Sequence, residues 1–288
     1  MEIKKIQNKN TFRFFNYKWK KVPTWASQTE KKYVNWYLQR YKYKSLKNLK
    51  AFLSNKKDIL DAGCGLARDT KLFAKLNKSA NVYGCDQSLT AIKKAKQDLK
   101  KFKNVCLFQQ DITKKIKFNK KFDFISCDQV LHHTPNPGKT LKNLFSSLKK
   151  NGYLNFFVCK KKNVYRDYID DHIMNHFRNK SPKELWDFAI KVTNFAKSLY
   201  DLQINNLKFN KKKYDNLQLF VHNNTFRTWY DPKIKFDLSV SSNYDWFSNN
   251  PRYNLQEMRK IISSNLSNYK FVTIYEDDAS VSISIKKN

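Results

Sequence analysis

The sequence is short of acidic residues, has no long apolar run and lacks the features of a secreted protein. Its 288 residues include 57 lysines and arginines but only 24 acids, so the formal net charge is +33. No apolar run approaches the roughly 20 residues that a transmembrane helix needs. The five cysteines are odd in number and the N-terminus has no apolar core, which argues against a disulfide framework and a signal peptide. We therefore expect one elaborated cytoplasmic domain that does not cross a membrane.

The positive charge has two explanations. Clustered basic residues bind phosphates, so RNA or an acidic membrane surface is one expected partner. However, the basic residues are mostly lysine, and asparagine, isoleucine, phenylalanine and tyrosine are also abundant, which is typical of AT-rich coding drift. The composition favours a solvated basic exterior. Nucleic-acid binding is kept as the alternative.

Short apolar segments alternate with amphipathic helices from about residue 58 to residue 160, a pattern that predicts βαβ units. The expected strands are DILDA, NVYGCD, NVCLFQQD, FDFISCD and YLNFFVC, followed near the C-terminus by KFVTIYE and SVSISIKK. Ser88 is expected to cap the helix after the second strand, and Asn254 with Glu257 has the spacing of a capping box. The predicted fold is α/β and Rossmann-like, with a mostly parallel seven-stranded sheet flanked by helices.

The alternation stops for about 90 residues after Cys159, which predicts a helical insertion after the fifth strand. Its clearest helix follows Ser181 and has an apolar face, made of Leu185, Phe188, Val192, Phe195 and Leu199. We expect an aromatic, helical N-terminal cap segment at 1–54, a ligand-binding domain formed by 55–160 and 254–288, and the insertion at 161–253. The insertion is predicted to cover the substrate, packing on the N-terminal segment and the mouth of the sheet; a dimerisation arm is the alternative.

The stretch DILDAGCGLARDT is like a dinucleotide-binding loop, but it departs from that pattern in two ways. Gly63 and Gly65 fit G-x-G-x-x-G, whereas the third glycine is replaced by Arg68. In addition, Asp61 ends the strand before the loop, where a carboxylate would repel a pyrophosphate. The loop therefore predicts a nucleoside-like cofactor that carries positive charge.

Acidic residues also follow the next three strands. They are Asp86, Asp111 and Asp128, the last followed by Gln129. Because ligands of open parallel sheets bind at the carboxyl ends of the strands, these side chains are expected to line one edge. Asp86 lies at the distance from the glycine loop at which an acid holds a ribose diol.

These motifs resemble those of class I S-adenosylmethionine-dependent methyltransferases. ILDAGCGLA, VYGCDQS and LFQQDI are similar to the first three motifs of that family. FDFISCDQVLHHTPNPGKTLKNLFSSLKKNGYLNFFV is similar to the fourth through sixth, as found in the small-molecule, type 11-like branch that includes ubiquinone and menaquinone C-methyltransferases. The resemblance covers Asp58 to Cys159 and Asn254 to Lys286. One departure is Ala67, where many members have a third glycine.

The resemblance implies S-adenosylmethionine as cofactor and a role for each motif residue. Asp61 and the loop of Gly63, Cys64 and Gly65 would hold the methionine end, Asp86 with Gln87 the ribose, and Asp111 with Ile112 the adenine; Asp128 completes the implied site. CDQVLHH does not resemble the Asn/Asp-Pro-Pro-aromatic motif of enzymes that methylate base or amide nitrogens. A small molecule, lipid-linked intermediate or sugar is therefore the expected acceptor. An RNA methyltransferase and a non-catalytic cofactor-binding regulator are the alternatives, and a homodimer is compatible with the sequence.

A few other side chains could carry chemistry. His132 and His133 are the candidate catalytic residues, as a base for the acceptor, although a structural role beneath the cofactor is the alternative. Cys127 lacks the Pro-Cys context of a methyltransferase nucleophile and is interpreted as a buried thiol. His172 and His176 have a zinc-compatible spacing, but no nearby acid or cysteine completes a set, so no metal site is predicted.

Overall fold

The computed structural model describes residues 2–117, 121–206, 217–248 and 251–288. Its contacts divide the chain into two compact units. The first consists of Met1–Asn8, Pro23–Lys160 and Pro251–Asn288, and the second of Lys9–Val22 and Lys161–Asn250. The N-terminal segment 1–54 is thus shared between the two units, with residues 9–22 grouping with the insertion.

The first unit is built on a seven-stranded sheet with the order β3-β2-β1-β4-β5-β7-β6. Its strands are β1 (Asp58–Ala62), β2 (Asn81–Asp86), β3 (Val105–Gln109), β4 (Phe122–Cys127), β5 (Leu148–Cys159), β6 (Tyr269–Glu276) and β7 (Ser280–Lys287). The first five strands are parallel, and β7 runs antiparallel to both of its neighbours. The predicted fold class is confirmed. The fifth strand begins at Leu148 rather than Tyr153, because an irregularity in the register lets Leu148 pair with Phe122.

Helices cover both faces of this sheet and form the insertion. They are α1 (Glu2–Lys21), α2 (Trp25–Arg40), α3 (Leu46–Leu53), α4 (Arg68–Leu76), α5 (Leu89–Asp98), α6 (Pro137–Ser146), α7 (Val164–Phe177), α8 (Pro182–Asn206), α9 (Leu217–Asn224), α10 (Phe236–Ser248) and α11 (Leu255–Asn265). The Ser88 hydroxyl accepts from the Ala91 amide at the start of α5, and Asn254 and Glu257 form the predicted capping box of α11. No helix in the described chain has both the length and the apolar character needed to cross a membrane.

Alternation along β1 places its side chains in two separate cores. Ile59 packs in one cluster with Tyr37 and Phe73, whereas Leu60 belongs to another that includes Leu144. Both strand residues are fully buried. This two-sided burial is what an interior parallel strand requires, and it explains the continuous apolar run in the sequence.

The second unit buries the apolar face of α8. Trp186 packs on Tyr244 of α10 at a ring distance of 5.2 Å, and Phe188 packs on Phe247 at 5.5 Å. Tyr17 of α1 lies 6.1 Å from Trp186. The predicted face is thus mostly covered within the unit. Its fourth member, Phe195, remains 45% exposed.

A buried carboxylate links three parts of the second unit. The Asp170 side chain on α7 accepts from Nε of Arg166 at 2.6 Å, from the indole N–H of Trp246 at 2.7 Å and from the backbone amide of Arg227 at 3.0 Å. Asp170 and Arg166 are both fully buried. The network joins α7 to α10 and to the chain that follows α9.

Candidate active site at the carboxyl edge of the sheet

The parallel strands bring the acidic residues to one edge, as predicted. Asp61 is in register with Ser126 of β4, two residues before Asp128, and Ala62 pairs with Cys85, one residue before Asp86. The chain after β1 therefore turns between the ends of β2 and β4. This is the place where open α/β sheets bind their ligands.

The glycine loop follows β1 and needs glycine at its turn. Gly63 has φ +83° and Gly65 has φ +52°, backbone angles that residues with a side chain rarely adopt. The amides of Gly63 and Cys64 donate to the Cys85 carbonyl at 2.7 and 2.8 Å, which ties the loop to β2. A Cβ at Gly63 would lie 2.4 Å from Val130. Both conformation and space thus explain this glycine.

Asp86 fastens the end of β2 to the same loop. One carboxylate oxygen accepts from the Gly65 amide at 2.9 Å, and the other accepts from the Ser88 amide at 2.7 Å. The side chain is only half-buried. A carboxylate in this position, oriented by two amides, can still accept hydrogen bonds from a pair of ligand hydroxyls.

Asp61 is buried and ties β1 to α4. One of its oxygens accepts from the Thr70 amide at 2.9 Å and from the Thr70 hydroxyl at 2.6 Å. Burial, reinforced by the negative charge of Asp69, raises the pKa of Asp61 to about 8. Burial therefore disfavours the ionised form of Asp61. A cationic group bound beside it would lower its pKa and stabilise the ionised form.

Ala67 occupies the position where the family often has a third glycine. Its φ of 60° and ψ of 36° are left-handed, so the backbone adopts the conformation that glycine favours. The methyl group is buried in a small cluster with Ile92 and Leu107. The chain thus adopts a left-handed conformation at this position without a glycine.

A cluster of buried charges surrounds Asp128. Its oxygens lie 3.7 Å from a guanidinium nitrogen of Arg40 and 3.8 Å from one of Arg68, and the Tyr41 hydroxyl donates to it at 2.9 Å. Arg68 also forms two bonds with Asp69, at 2.8 and 2.7 Å. Nη2 of Arg40 and Nη1 of Arg68 are buried without a hydrogen-bond partner within the described ranges. These nitrogens are suited to bind an anionic group.

The remaining predicted cofactor residues lie around the same edge. Asp111, half-buried, accepts from the Thr113 amide and hydroxyl at 2.9 and 2.7 Å. Ile112 is buried beside it, and Gln87 is half-buried. The Gln87 carbonyl accepts from Gln109 at 2.9 Å, which links the turns after β2 and β3.

The two candidate histidines differ in their surroundings. They lie in a short 3-10 helix, Leu131–His133, after β4. Burial, together with neighbouring His133, lowers the pKa of His132 well below its ordinary value. Nε2 of His132 lies 3.6 Å from the Cys159 sulfur. His132 is thus a neutral, weakly basic imidazole, whereas His133 is only half-buried.

The other candidates do not form reactive centres. Burial raises the pKa of the Cys127 thiol well above its ordinary value, which disfavours the nucleophilic thiolate. His172 and His176 lie on the exposed side of α7. Within the described residues, no three His, Cys, Asp or Glu side chains are close enough together to bind a metal ion.

Sequence reasoning missed the contribution of α2 to this site. Arg40 lies next to Asp128, and the rings of Tyr33 and Trp25 lie 4.4 and 5.4 Å from the Arg68 guanidinium. Trp25, Tyr33 and Arg40 recur at helical spacing along α2. This spacing is the signal that could have identified the side of α2 that contacts the site.

Comparison with known proteins places the chain in a family. Residues 53–223 match the family described as "Methyltransferase domain", a span of more than half of the 288 residues. Ubiquinone biosynthesis O-methyltransferase of Coxiella burnetii is 32% identical over 135 residues, which are 46% of this chain and 56% of that protein. The enzyme of the same name from Shewanella pealeana is 24% identical over 213 residues, 64% of this chain and 86% of that protein. The chain thus spans little more than half the length of the Coxiella relative.

The fold is also found among solved structures. PKMT2 from Rickettsia typhi has a TM-score of 0.55 and 18% identity, with 81% of this chain and 48% of that chain covered. A second structure of PKMT2 is a complex with AdoHcy and has a TM-score of 0.53. At this identity the likeness extends to the fold alone. With the match to the family over residues 53–223, the chain belongs to the methyltransferase-domain family.

Proposed function

We propose that this protein transfers a methyl group from S-adenosylmethionine to a small-molecule, lipid-linked or sugar acceptor. The observation that carries the proposal is the carboxyl edge of the sheet, where Asp86 and a glycine loop with two left-handed glycines meet. Membership of the methyltransferase-domain family supports the reaction type. The name of the Coxiella relative supports a small acceptor and an oxygen as the atom that is methylated.

The residues at the edge fit the groups of that cofactor. Asp86 would accept from the ribose hydroxyls, while Asp111 and Ile112 would contact the adenine. The methionine end of the cofactor carries a positive ammonium group and a negative carboxylate group. The ammonium would lie near Asp61, and the carboxylate would accept from the buried guanidinium nitrogens of Arg40 or Arg68. Cys64, Gln87 and Asp128 would line the remaining surface.

When bound, the sulfonium supplies an activated methyl group, so the protein has to align the acceptor, exclude water and take up a proton where the acceptor loses one. We assign proton uptake to His133 rather than His132. The low pKa of His132 makes it a poor proton acceptor, while its burial beside Cys159 suits a supporting role under the site.

We also propose that the insertion, 161–253, together with the N-terminal segment 1–54, covers the acceptor. The insertion follows β5, whose carboxyl end belongs to the ligand edge. A homodimer through the insertion is the competing arrangement. A cytoplasmic location, consistent with the free cysteines, is part of the proposal.

The test combines binding and transfer. Calorimetry should detect binding of S-adenosylmethionine and its demethylated product, with no binding of NAD. Asp86→Ala should weaken cofactor binding by about 1.5–3 kcal/mol, because charge-assisted bonds to two hydroxyls are lost. Asp98→Ala, on the exposed side of α5, is the matched control and should bind normally.

Incubation with methyl-labelled cofactor and separated metabolite, lipid and RNA fractions then identifies the acceptor class. Label in the metabolite or lipid fraction supports the proposal. Label in RNA alone would overturn the proposal and indicate an RNA methyltransferase. Tight cofactor binding with no transfer to any fraction would indicate a non-catalytic regulator.

A further inference from the structure

A groove of about 330 Å³ lies between α5 and β3, which is one of the two edge strands of the sheet. Four of the side chains that line it are apolar, namely Leu99, Phe102, Val105 and Leu107. Leu99 and Leu107 are buried in the cluster that also contains Ala67, whereas Phe102 and Val105 are half-buried and supply the accessible apolar surface. We call this feature the α5–β3 groove.

Two lysines form the rim of the α5–β3 groove. Lys96 lies in the last turn of α5 and Lys100 in the connection that follows this helix, and both are exposed. The acid of this helix, Asp98, pairs with Lys94 instead. In the described chain, no carboxylate lies within 4.0 Å of either rim ammonium. Residues 93–103 contain six lysines and one acid, so the potential over the groove is positive.

The α5–β3 groove is separate from the proposed cofactor site. Its lining comes from the last turn of α5, the connection that follows this helix and the first residues of β3. Asp86 and the glycine loop lie instead at the carboxyl ends of the strands. A ligand in the groove would therefore not compete directly with the cofactor.

We propose that the α5–β3 groove binds a small organic phosphate. The phosphate lies between Lys96 and Lys100, and the apolar body of the ligand packs on the half-buried Phe102 and Val105. Lysine binds phosphate as a point charge, and two ammonium groups balance the two negative charges of a dianionic phosphate, whereas a carboxylate carries only one. The volume is at the small end of ligand sites, which limits the body to the size of one or two rings. This site does not depend on the proposed methyl transfer.

The alkylation rate of Cys106 can report binding in the groove, because this thiol lines the groove and is exposed. The other cysteines are less accessible: Cys64 is half-buried, and Cys85, Cys127 and Cys159 are buried. The experiment measures alkylation of Cys106 in the full chain by iodoacetamide, with peptide mapping, in the presence of 1-naphthyl phosphate. A bound probe covers the thiol, so alkylation should slow by about tenfold at a probe concentration ten times Kd. Inorganic phosphate and 1-naphthol are the two parts of the probe tested separately, and each should protect Cys106 from alkylation far less than the probe does.

The double variant Lys96→Gln/Lys100→Gln should abolish protection, measured as the ratio of rates with and without probe in the same protein. Its matched control is Lys183→Gln/Lys197→Gln, which removes the same charge from α8, where both lysines pair with acids. Equal protection by 1-naphthol, protection that survives in the Lys96/Lys100 variant, or protection only by vesicles of phosphatidic acid would overturn the proposal.

Discussion

The Asp61 carboxylate accepts two hydrogen bonds from Thr70, one from its backbone amide at 2.9 Å and one from its hydroxyl at 2.6 Å. Asp61 belongs to β1 and Thr70 to the first turn of α4, so one side chain fixes both ends of the glycine loop between them. The same burial that strengthens these bonds raises the pKa of Asp61 to about 8. Asp61 therefore both fixes the geometry of the glycine loop and makes the stability of the protein depend on pH.

The first prediction concerns stability of the ligand-free protein. The unfolded chain releases the Asp61 proton near pH 4, whereas the native state holds it until about pH 8. Because the native state binds more protons across this window, the Asp61 contribution to the free energy of unfolding falls as pH rises from about 4 to 8. Asp61→Asn can still accept from Thr70 and should flatten this part of the profile, measured by urea unfolding at successive pH values.

Asp123 is the control of opposite sign. Burial alone would raise the pKa of Asp123, but Lys149 and the amides of Asp58 and Lys57 outweigh it, so the pKa is lowered. Its stabilising effect is therefore present above its ordinary pKa and lost as pH falls through the lowered value. Asp123→Asn should remove stability at neutral pH and leave the Asp61 slope intact. A wild-type slope between pH 4 and 8 that persists in Asp61→Asn would show that another group titrates there.

The second prediction concerns Gly63. Alanine at this position has to adopt φ +83° and would place its Cβ 2.4 Å from Val130. Left-handed backbone costs about 1–2 kcal/mol and overpacking about 1–3 kcal/mol, so Gly63→Ala should lower stability by about 2–5 kcal/mol. Denaturant unfolding of the purified variant measures this loss.

The two causes can be separated with a double variant. Val130→Ala removes the clash but not the backbone strain, so Gly63→Ala/Val130→Ala should lose less stability than the two single variants added together. Strict additivity would mean that Val130 does not constrain this glycine.

The sequence predicted the parts of the site that depend on local signals. The strand ends at Asp86 and Asp128, the cap at Ser88 and the glycine turn each depend on residues within a few positions of one another. The contacts of Arg40 and Arg68 with Asp128 join residues that are far apart in the chain, so no local pattern reveals them. The left-handed backbone of Ala67 was also hidden, because alanine gives no sign of a conformation usually marked by glycine.

The third prediction tests the proposed contact between Arg40 and the cofactor carboxylate. Arg40→Lys keeps the charge beside Asp128 but removes the planar fork whose Nη2 is buried without a partner in the described chain. Its affinity for S-adenosylmethionine should fall by about tenfold, equivalent to about 1.4 kcal/mol, measured by calorimetry. The decarboxylated cofactor is the matched control ligand and should bind wild type and variant equally. If both ligands lose affinity to the same extent, Arg40 acts on the fold of the site and not on the carboxylate.

The fourth prediction concerns the buried network of the second unit. Asp170 neutralises a fully buried Arg166 and also accepts from the Trp246 indole. Asp170→Asn keeps the size of the side chain but removes the negative charge that Asp170 places beside the buried guanidinium, which should lower stability by about 3–5 kcal/mol. Asp187→Asn, which breaks an exposed pair with Lys183, should change stability by no more than about 0.5 kcal/mol. Hydrogen exchange locates the loss: amides of α7 and α10 should exchange faster in Asp170→Asn, while those of β1 and β4 keep their protection. Uniform acceleration across both units would mean that the network stabilises the whole chain and that the second unit has no separate unfolding transition.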